Sequence, residues 1–455
     1  MARAIFQFPS DFLWGTATAD HQVEGQSNDS WTYWENLQNN KVYQNQRAGL
    51  ACDWWGGRWR EDFERMSYLG HNTHRLSIAW SRIQPDAHSV DDSAIATYRE
   101  WFQDLQTRNI RPMVTLHHFT NPMWFEEEGG WLSSKSVERF VRWAEIAVDA
   151  FGDYVDFWCT FNEPMVYVAQ AYLVGFFYPG QRSLRKMFKA IEHILRAHAG
   201  AYQIIKAKQP QAQIGLAKHI VIFESIWPHF INQIPVRLIH QGFNMAVPRA
   251  LASGELKMPL QRKIVIPELG GTYDYVGLNY YQRYKGGFSP MHPQTLFLTQ
   301  KHGPDAPPAP EQWGEIYPQG LQKAVGWVWN TLRKPIYITE TGAPATNDEI
   351  RQWYIIMILI RIWRVINGNI PIKGIYYWTL LDNFEWIAAY NPEFRFGLYE
   401  VDFETQVRTL RPSGALFRDI TLANAITSEI IEHHAPQFYE GLFPGEAGLQ
   451  SVKFT

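Results

Sequence analysis

The sequence has few cysteines and no large excess of charge of one sign. Its two cysteines, Cys52 and Cys159, form neither a metal-ligand spacing nor a disulfide framework, which fits a reducing compartment. The 42 basic and 45 acidic residues leave a formal net charge of −3, too small to attract nucleic acid or acidic lipid. No hydrophobic run approaches transmembrane length, and the first residues contain no apolar signal core. We therefore expect a cytoplasmic protein that binds neither nucleic acid nor a membrane.

Aromatic residues, in contrast, are abundant at 15% of the chain, with 20 Trp, 22 Tyr and 27 Phe. Aromatic side chains beyond the needs of a core often line ligand sites, and flat apolar sugar faces suit them; an aromatic-rich core is the alternative. The 455 residues allow two or three domains, or one α/β barrel with insertions. Because no linker and no internal repeat divides the chain, we expect a single domain over residues 1–455.

Short β-rich runs alternate with helical patterns along the chain. The predicted strands are 12–19, 73–80, 111–118, 156–163, 213–220, 273–281, 334–341 and 372–382, and predicted helices include 94–107, 136–151, 186–208, 319–333 and 349–367. Eight strands alternating with helices predict an α/β fold, a (β/α)8 TIM barrel with extended loops after its strands. A doubly wound sheet is the alternative, but no Gly-rich phosphate loop follows the first strand.

The stretch 157–164 contains the first candidate for a catalytic residue. Its aromatic residues favour a buried strand, and Pro164 ends that strand directly after Asn162 and Glu163. A carboxyl group beside aromatic surface has its charged form disfavoured, which makes Glu163 a candidate proton donor. A structural ion pair is the alternative for this stretch alone.

Polar residues also mark the ends of other predicted strands, which converge at one mouth if the barrel forms. They are Arg75, His117-His118, Asn162-Glu163, Asn279-Tyr280-Tyr281, Thr339-Glu340 and the run from Trp378 to Trp386. Two facing carboxyl groups, Glu163 and Glu340, are the equipment for glycosidic bond cleavage, and a retaining enzyme holds them roughly 5–5.5 Å apart. We expect Arg75 and Tyr281 to keep Glu340 ionised and aromatic contact to keep Glu163 protonated. A buried network that only supports the barrel is the alternative.

His117 and His118 are neighbours on one predicted strand, so their side chains face opposite sides and cannot chelate one ion together. We interpret His118 as a hydrogen-bonding residue and His117 as a packing residue. No other spacing indicates a metal site or an organic cofactor, and we expect neither.

These residues carry a resemblance to the family 1 glycoside hydrolases, the β-glucosidase and β-galactosidase group, over nearly the whole chain. The resembling motifs are Phe12-Leu-Trp-Gly-Thr-Ala-Thr-Ala, Gln22-Val-Glu-Gly, His74-Arg-Leu-Ser-Ile-Ala-Trp-Ser-Arg-Ile, Thr115-Leu-His-His, Thr160-Phe-Asn-Glu-Pro, Gly277-Leu-Asn-Tyr-Tyr, Ile338-Thr-Glu-Thr-Gly, Trp378-Thr-Leu-Leu-Asp-Asn-Phe-Glu-Trp and Arg395-Phe-Gly-Leu-Tyr. The resemblance implies Glu163 as acid/base and Glu340 as nucleophile, supported by Arg75, Asn279 and Tyr281. For sugar binding it implies Gln22, His118, Asn162, Trp378, Glu385, Trp386 and Phe396.

The implied activity is exo-acting, retaining hydrolysis of terminal β-glucosyl, galactosyl or fucosyl residues of small-molecule or oligosaccharide O-glycosides. Family members that act on 6-phosphorylated sugars replace the Glu-Trp pair, whereas this chain keeps Glu385 and Trp386; members that cleave thioglucosides have Gln at the acid/base position, here Glu163. A transglycosylase and a non-catalytic glycan-binding barrel are the alternatives. Thr341, Phe119 and His21 depart from the family's usual Asn, Trp and Tyr.

Three further segments are unusual for this pattern. The stretches 353–366 and 221–243 are apolar almost throughout, so we expect each to be buried in the barrel, between subunits of a homo-oligomer, or against an amphiphile. The Pro- and Gly-rich stretch 283–318 predicts a long loop after the sixth strand, on the face where barrel active sites lie; a disordered surface insertion is the alternative.

Overall fold

The computed structural model describes residues 4–226, 230–288, 291, 298–300, 307, 309–310 and 313–443. Eight strands close into a barrel, and we number them β1 to β8 in chain order. They are Leu13–Ala17, Thr73–Ser77, Arg111–Thr115, Phe157–Asn162, Gln213–His219, Val276–Asn279, Ile336–Thr341 and Ile372–Tyr377. Each strand pairs in parallel with the next along the chain, and β8 pairs with β1.

The barrel strands are buried along almost their whole length, because side chains face either the barrel interior or the surrounding helices. Every residue of β2, β4 and β6 is buried. The predicted (β/α)8 barrel is therefore confirmed, with all eight strands within the predicted ranges. Parallel pairing brings the carboxyl ends of all eight strands to one mouth.

A helix follows each barrel strand, and we number these helices α1 to α8. They are Trp59–Tyr68, Asp92–Thr107, Ser136–Phe151, Leu184–Lys208, Ala246–Ser253, Leu321–Leu332, Asp348–Asn367 and Pro412–Ala423. Further helices lie at Asp20–Glu24, Ser30–Asn36, Tyr43–Asn45, Trp54–Arg58, Trp80–Ile83, Met123–Glu127, Gly130–Leu132, Pro164–Ala169, Gln170–Val174, Phe230–Ile239, His240–Met245, Pro318–Gly320, Trp386–Ala388, Pro392–Phe394, Ser428–His434, Pro436–Phe438 and Tyr439–Leu442. Among the described helices, none combines the length and apolar character needed to cross a bilayer.

The loops after β5 and β6 build a small second sheet at the mouth. Its strands are Ile222–Ser225, Gln282–Phe288, Leu298–Gln300 and Glu315–Ile316. The predicted loop 283–318 is thus partly strand, because residues 282–288 pair with neighbours on both sides. Ser289, Pro290 and most of 292–312 lie outside the described residues.

Outside the barrel, three pairs of short strands complete the described sheets. Ile5–Gln7 pairs with Ala425–Thr427, Glu255–Leu256 with Ile264–Val265, and Tyr399–Val401 with Arg408–Leu410. The first pair brings the two ends of the described chain together on the outside of the barrel.

The two apolar stretches differ in burial. Helix α7 packs between α6 and α8 and also against the strand Ile5–Gln7, which explains why it is apolar almost all round. Burial differs along the segment 221–243. Ile222 is buried, whereas Phe230, Ile234 and Leu238 of the helix Phe230–Ile239 are exposed. Trp227 lies outside the described residues. The stretch 353–366 is therefore buried within the fold, whereas the stretch 221–243 is buried only in part.

Candidate active site

Register places three polar residues side by side at the mouth. His219 at the end of β5 pairs with Asn279 at the end of β6, and Asn279 in turn pairs with Glu340 near the end of β7. On the other side of His219, Asn162 ends β4 beside Ala217 of β5. Four consecutive strands thus present their terminal side chains in one ring.

Glu340 is held by two donors. Arg75, on β2 across the barrel, forms a short ion pair with Oε1. The Tyr281 hydroxyl donates to Oε2 at 2.8 Å. Tyr281 is itself packed against the rings of Trp313 and Phe396, with centroids 5.5 and 6.2 Å away. Both carboxylate oxygens of Glu340 are therefore fixed, and the sequence-predicted supports Arg75 and Tyr281 both contact it.

Glu163 stands directly after β4 in the left-handed backbone region, with φ 44° and ψ 57°. Pro164 follows it as the first residue of the helix Pro164–Ala169, so the carboxyl sits where a strand turns sharply into a helix. A non-glycine residue in this region costs on the order of 1–3 kcal/mol, and such residues cluster at functional sites. Asn279 Nδ2 donates to Glu163 Oε1 at 2.8 Å, and His219 Nδ1 lies 3.4 Å from the same oxygen.

One hydrogen-bonded network joins the two carboxyl groups. Arg75, besides its contact with Glu340, donates from Nη2 to Asn162 Oδ1 at 2.8 Å. Asn279 donates to the same Asn162 oxygen at 3.0 Å and to Glu163. Thr339 fixes the Asn279 amide by donating its hydroxyl to Oδ1 at 2.7 Å. Because every member is buried and paired, the network orients both carboxyl groups before any ligand binds.

The two carboxyl groups differ in proton affinity. Burial and the neighbouring Glu163 carboxylate raise the pKa of Glu340 to about 7, against the opposing effect of Arg75 and Tyr281. Burial also acts to raise the pKa of Glu163, but His219 and Asn279 outweigh it and lower the pKa below its ordinary value. The expectation that aromatic contact keeps Glu163 protonated is therefore wrong for the free protein, because polar donors face this carboxyl.

A second acidic site lies at the other side of the mouth. Glu385 Oε2 accepts from Trp378 Nε1 and from Gln22 Nε2, both at 3.3 Å. Gln22 Nε2 also donates to Asn383 Oδ1 and to the Phe384 carbonyl, which fixes its amide. Burial raises the pKa of Glu385 to about 8. Carboxyl and amide groups fixed in this way can hold sugar hydroxyl groups by paired hydrogen bonds.

His118 and the tryptophans connect this acidic site to the carboxyl pair. Asn162 Nδ2 donates to His118 Nε2 at 2.9 Å, and burial holds the pKa of His118 well below its ordinary value, so the ring is neutral. Its ring lies 5.9 Å from Trp378 and 5.8 Å from Trp386. His117 points the other way and packs against Trp131. The structure thus brings together all twelve sequence-predicted site residues, with Phe396 in contact through Tyr281.

Sequence reasoning missed His219 and its neighbour Lys218. Both lie at the carboxyl end of β5, and both are buried. The sequence did contain a signal for them, because both are polar residues at the end of the predicted strand 213–220. Lys218 directs Nζ to the His219 carbonyl and toward the face of Phe243, 4.6 Å from the ring centroid.

A (β/α)8 barrel with two buried carboxyl groups on the ends of different strands, beside fixed amide, imidazole and indole groups, defines the class of glycoside hydrolases. Comparison with known proteins gives the particular family. The family model "Glycosyl hydrolase family 1" matches residues 5–235 and 249–426. The chain belongs to glycosyl hydrolase family 1, as the sequence motifs predict.

Similar proteins include β-glucosidase A of Thermotoga maritima, which is 30% identical over 93% of this chain and 99% of its own length. A human cytosolic β-glucosidase is 28% identical over 89% of this chain and 95% of its own length. Among solved structures, a β-glycosidase from Pyrococcus horikoshii superposes with a TM-score of 0.87 at 32% identity, covering 95% of this chain and 98% of that one. The Thermotoga maritima β-glucosidase in complex with glucoimidazole superposes at 0.85 and 29% identity, covering 92% and 100%.

Proposed function

We propose that this enzyme hydrolyses the terminal non-reducing β-D-glucosyl residue of O-glycosides with retention of configuration, through a glycosyl-enzyme intermediate. The observation that carries the proposal is the pair of buried carboxyl groups, Glu163 and Glu340, joined by one network of side chains. The family relationship and the β-glucosidases that resemble the chain support the same substrate class.

In the first step Glu340 attacks the anomeric carbon while the bond to the aglycone oxygen breaks, and Glu163 gives its proton to that oxygen. Arg75 and Tyr281 orient the attacking carboxylate. The two carboxyl groups titrate as a pair, and the tautomer that reacts carries the single proton of the pair on Glu163. Positive charge that develops at the anomeric carbon beside Glu340 favours this tautomer, since it stabilises an ionised nucleophile.

In the second step Glu163 acts as a base. It takes a proton from water, whose oxygen bonds to the anomeric carbon as the bond to the Glu340 oxygen breaks. Sugar is released with its original configuration, and both carboxyl groups return to their starting state. Asn162 serves both steps by holding the sugar 2-hydroxyl, where hydrogen bonds strengthen in the transition state.

We further propose that Gln22, His118 and Glu385 bind the hydroxyl groups of the terminal sugar, with Trp378 and Trp386 as its apolar platform and Phe396 as part of the wall. The fixed Gln22 amide and the Trp378 indole, both bonded to Glu385, support this assignment. Glu385 and Trp386 stand where family members that act on 6-phosphorylated sugars have other residues, so the substrate is an unphosphorylated glycoside. Glucosides are favoured over galactosides and fucosides by the named relatives.

The alternatives are weaker. A non-catalytic glycan-binding barrel does not require two oriented carboxyl groups, and the similar proteins are named as β-glucosidases. A transglycosylase shares the first step, and product analysis with an added alcohol acceptor distinguishes it.

We also propose that residues 1–455 form one domain and that the enzyme is cytoplasmic; both cysteines are free thiols in the structure.

The test of the proposal is Glu340→Ala with an aryl β-D-glucoside. Loss of the nucleophile should lower kcat by roughly 10⁴-fold or more, because no covalent intermediate forms. Glu126→Ala is a matched control, since Glu126 is a buried carboxyl whose pKa burial also raises to about 7 and which bonds to Asn121 outside the pair. Near-normal turnover by Glu340→Ala, or release of the inverted sugar by the wild type as seen by proton NMR, would remove the double displacement.

A further inference from the structure

His219 is a buried imidazole that faces the Glu163 carboxyl. Its side chain is 8% exposed, and Nδ1 lies 3.4 Å from Glu163 Oε1. Among the described residues, neither ring nitrogen has an aligned hydrogen-bond partner. An unpaired buried donor is costly, so the ring gains by turning its Nδ1–H onto the only carboxylate oxygen recorded beside it in the described structure. Hydrogen bonds of this kind are often long in the free enzyme and tighten in complexes.

The surroundings of His219 fix the ring in this position. Its ring packs against Phe243 on one side and Tyr281 on the other, with centroids 6.0 and 5.7 Å away. Lys218 donates to the His219 carbonyl, and burial lowers the pKa of Lys218 to about 7. In the described structure, the Glu163 carboxyl is therefore the polar group that the imidazole of His219 faces.

The charged and titratable groups that act on Glu163 from the packed elements are few. Glu340 and Glu385 face it across the pocket, and each interacts with it as a like charge. Tyr281 interacts with it from the loop after β6, and Lys218 from β5. His219 has the largest lowering effect on the pKa of Glu163, ahead of Asn279 and Lys218.

We propose that His219 is a positioning residue that acts through Glu163, holding this carboxyl in its ionised form for the second half of the reaction, in which it must accept a proton from water. The inference deepens the proposed function and rests on it. The geometry that carries it is the buried, unpaired imidazole aimed at Glu163 Oε1.

The charge balance of the reaction explains why such a residue is useful. In the glycosyl-enzyme Glu340 is an ester and carries no charge, so Glu163 titrates without its partner. A base works best when it is ionised at the operating pH, yet burial favours its protonated form. A donor on the Glu163 oxygen opposes burial at the stage where the base is needed.

The experiment measures the pH dependence of kcat with a dinitrophenyl β-D-glucoside, whose leaving group departs without acid assistance. A pre-steady-state burst identifies breakdown of the glycosyl-enzyme as the slow step. Under that condition the acid limb of kcat reports the pKa of Glu163 in the intermediate. His219→Phe keeps the shape of the ring and removes the donor, His219→Asn keeps an N–H donor close to the position of Nδ1, and His219→Leu removes the donor in a smaller side chain if the phenylalanine does not fold.

We expect His219→Phe and His219→Leu to move the acid limb to higher pH by on the order of one unit, with His219→Asn close to wild type. His71→Phe is the matched control, because His71 is also buried with neither ring nitrogen bonded in the described structure, and it packs on Phe417 away from the site. An unmoved or lowered limb in a folded His219→Phe or His219→Leu variant overturns the inference. A wild type that does not turn over the glucoside, or that releases the inverted sugar, would instead contradict the proposed function, so the two failures are distinguishable.

Discussion

The surroundings of Glu340 and of Glu163 differ in the kind of group that contacts each carboxyl. Glu340 contacts a guanidinium and a phenol, from Arg75 and Tyr281. Glu163 contacts an amide at 2.8 Å and an imidazole at 3.4 Å, from Asn279 and His219. A comparison of contacts alone would assign the lower pKa to Glu340, which has the fully charged partner.

The pKa directions are the reverse, since that of Glu340 is raised to about 7 and that of Glu163 is lowered. Burial opposes ionisation of both groups, and two carboxylates in one pocket cannot both ionise easily. One proton is therefore shared by the pair, and each group's proton affinity depends on the other. Arg75 lowers the pKa of Glu340, but burial together with the neighbouring Glu163 carboxylate outweighs this effect.

The largest effect is expected from removing the acid. Glu163→Gln should lower kcat/KM for an alkyl β-glucoside by roughly 10³–10⁴-fold, because the leaving alkoxide is no longer protonated. The dinitrophenyl β-glucoside, which needs no acid, should lose far less in its first step. In this variant activity on the dinitrophenyl substrate should rise with pH through a single ionisation of Glu340. That pKa should lie below 7, since the charge of Glu163 no longer raises it.

The matched control for this variant is Glu126→Gln, which removes a buried carboxyl that contacts Asn121 and not the pair. Equal losses for alkyl and dinitrophenyl substrates in the first step would contradict the assignment of Glu163 as acid. A Glu340 ionisation that stays at its wild-type value would contradict the coupling between the two groups.

The sequence predicts the barrel and the members of the site because both follow local rules. Strand β4 is a run of apolar residues closed by Pro164, and polar residues at strand ends converge once the strands are parallel. Contacts such as Tyr281 to Glu340 follow from that convergence. The positions of polar residues at the ends of successive predicted strands were sufficient to predict the members of the site, and the family motifs indicated the role of each residue.

Proton affinity and surface exposure did not follow from the sequence. The donors that lower the pKa of Glu163 come from β5 and β6, so an argument from the aromatic residues of β4 alone gave the wrong direction. Similarly, α7 and the helix Phe230–Ile239 are both apolar in sequence, but α7 packs between two helices whereas the other helix leaves Phe230 and Ile234 exposed. Both outcomes depend on which neighbours the fold brings close, and single-segment patterns do not contain that information.

A smaller effect is expected from Arg75→Met, which removes the charged partner of Glu340 and keeps an apolar side chain of similar length. Kcat/KM for an aryl β-glucoside should fall on the order of 10²-fold, because a buried carboxylate without its partner is destabilised. The upper pKa of the pair should rise, which moves the alkaline limb of kcat/KM to higher pH, since Arg75 acts to lower the pKa of Glu340.

Arg408→Met controls for the loss of a buried ion pair. Arg408 pairs with Asp62 at 3.1 Å, and both side chains are buried away from the carboxyl pair. Both variants should lower the melting temperature, but only Arg75→Met should move the pH limb. A limb that shifts in both variants, or in neither, would mean that Arg75 does not act on Glu340 electrostatically.

The smallest effect is expected from Tyr281→Phe, which removes one hydrogen bond to Glu340 Oε2 and leaves the ion pair with Arg75. A hydrogen bond to a charged group contributes about 1.5–3 kcal/mol, and we expect the lower end because Arg75 still pairs with Glu340, so kcat/KM should fall about tenfold, with a small shift of the alkaline limb to higher pH. Tyr280→Phe is the control, because its neighbouring hydroxyl bonds to the Tyr317 carbonyl instead. Equal losses in the two variants would assign the effect to packing at the end of β6. A loss larger than that of Arg75→Met would make Tyr281, rather than the guanidinium, the main support of the nucleophile.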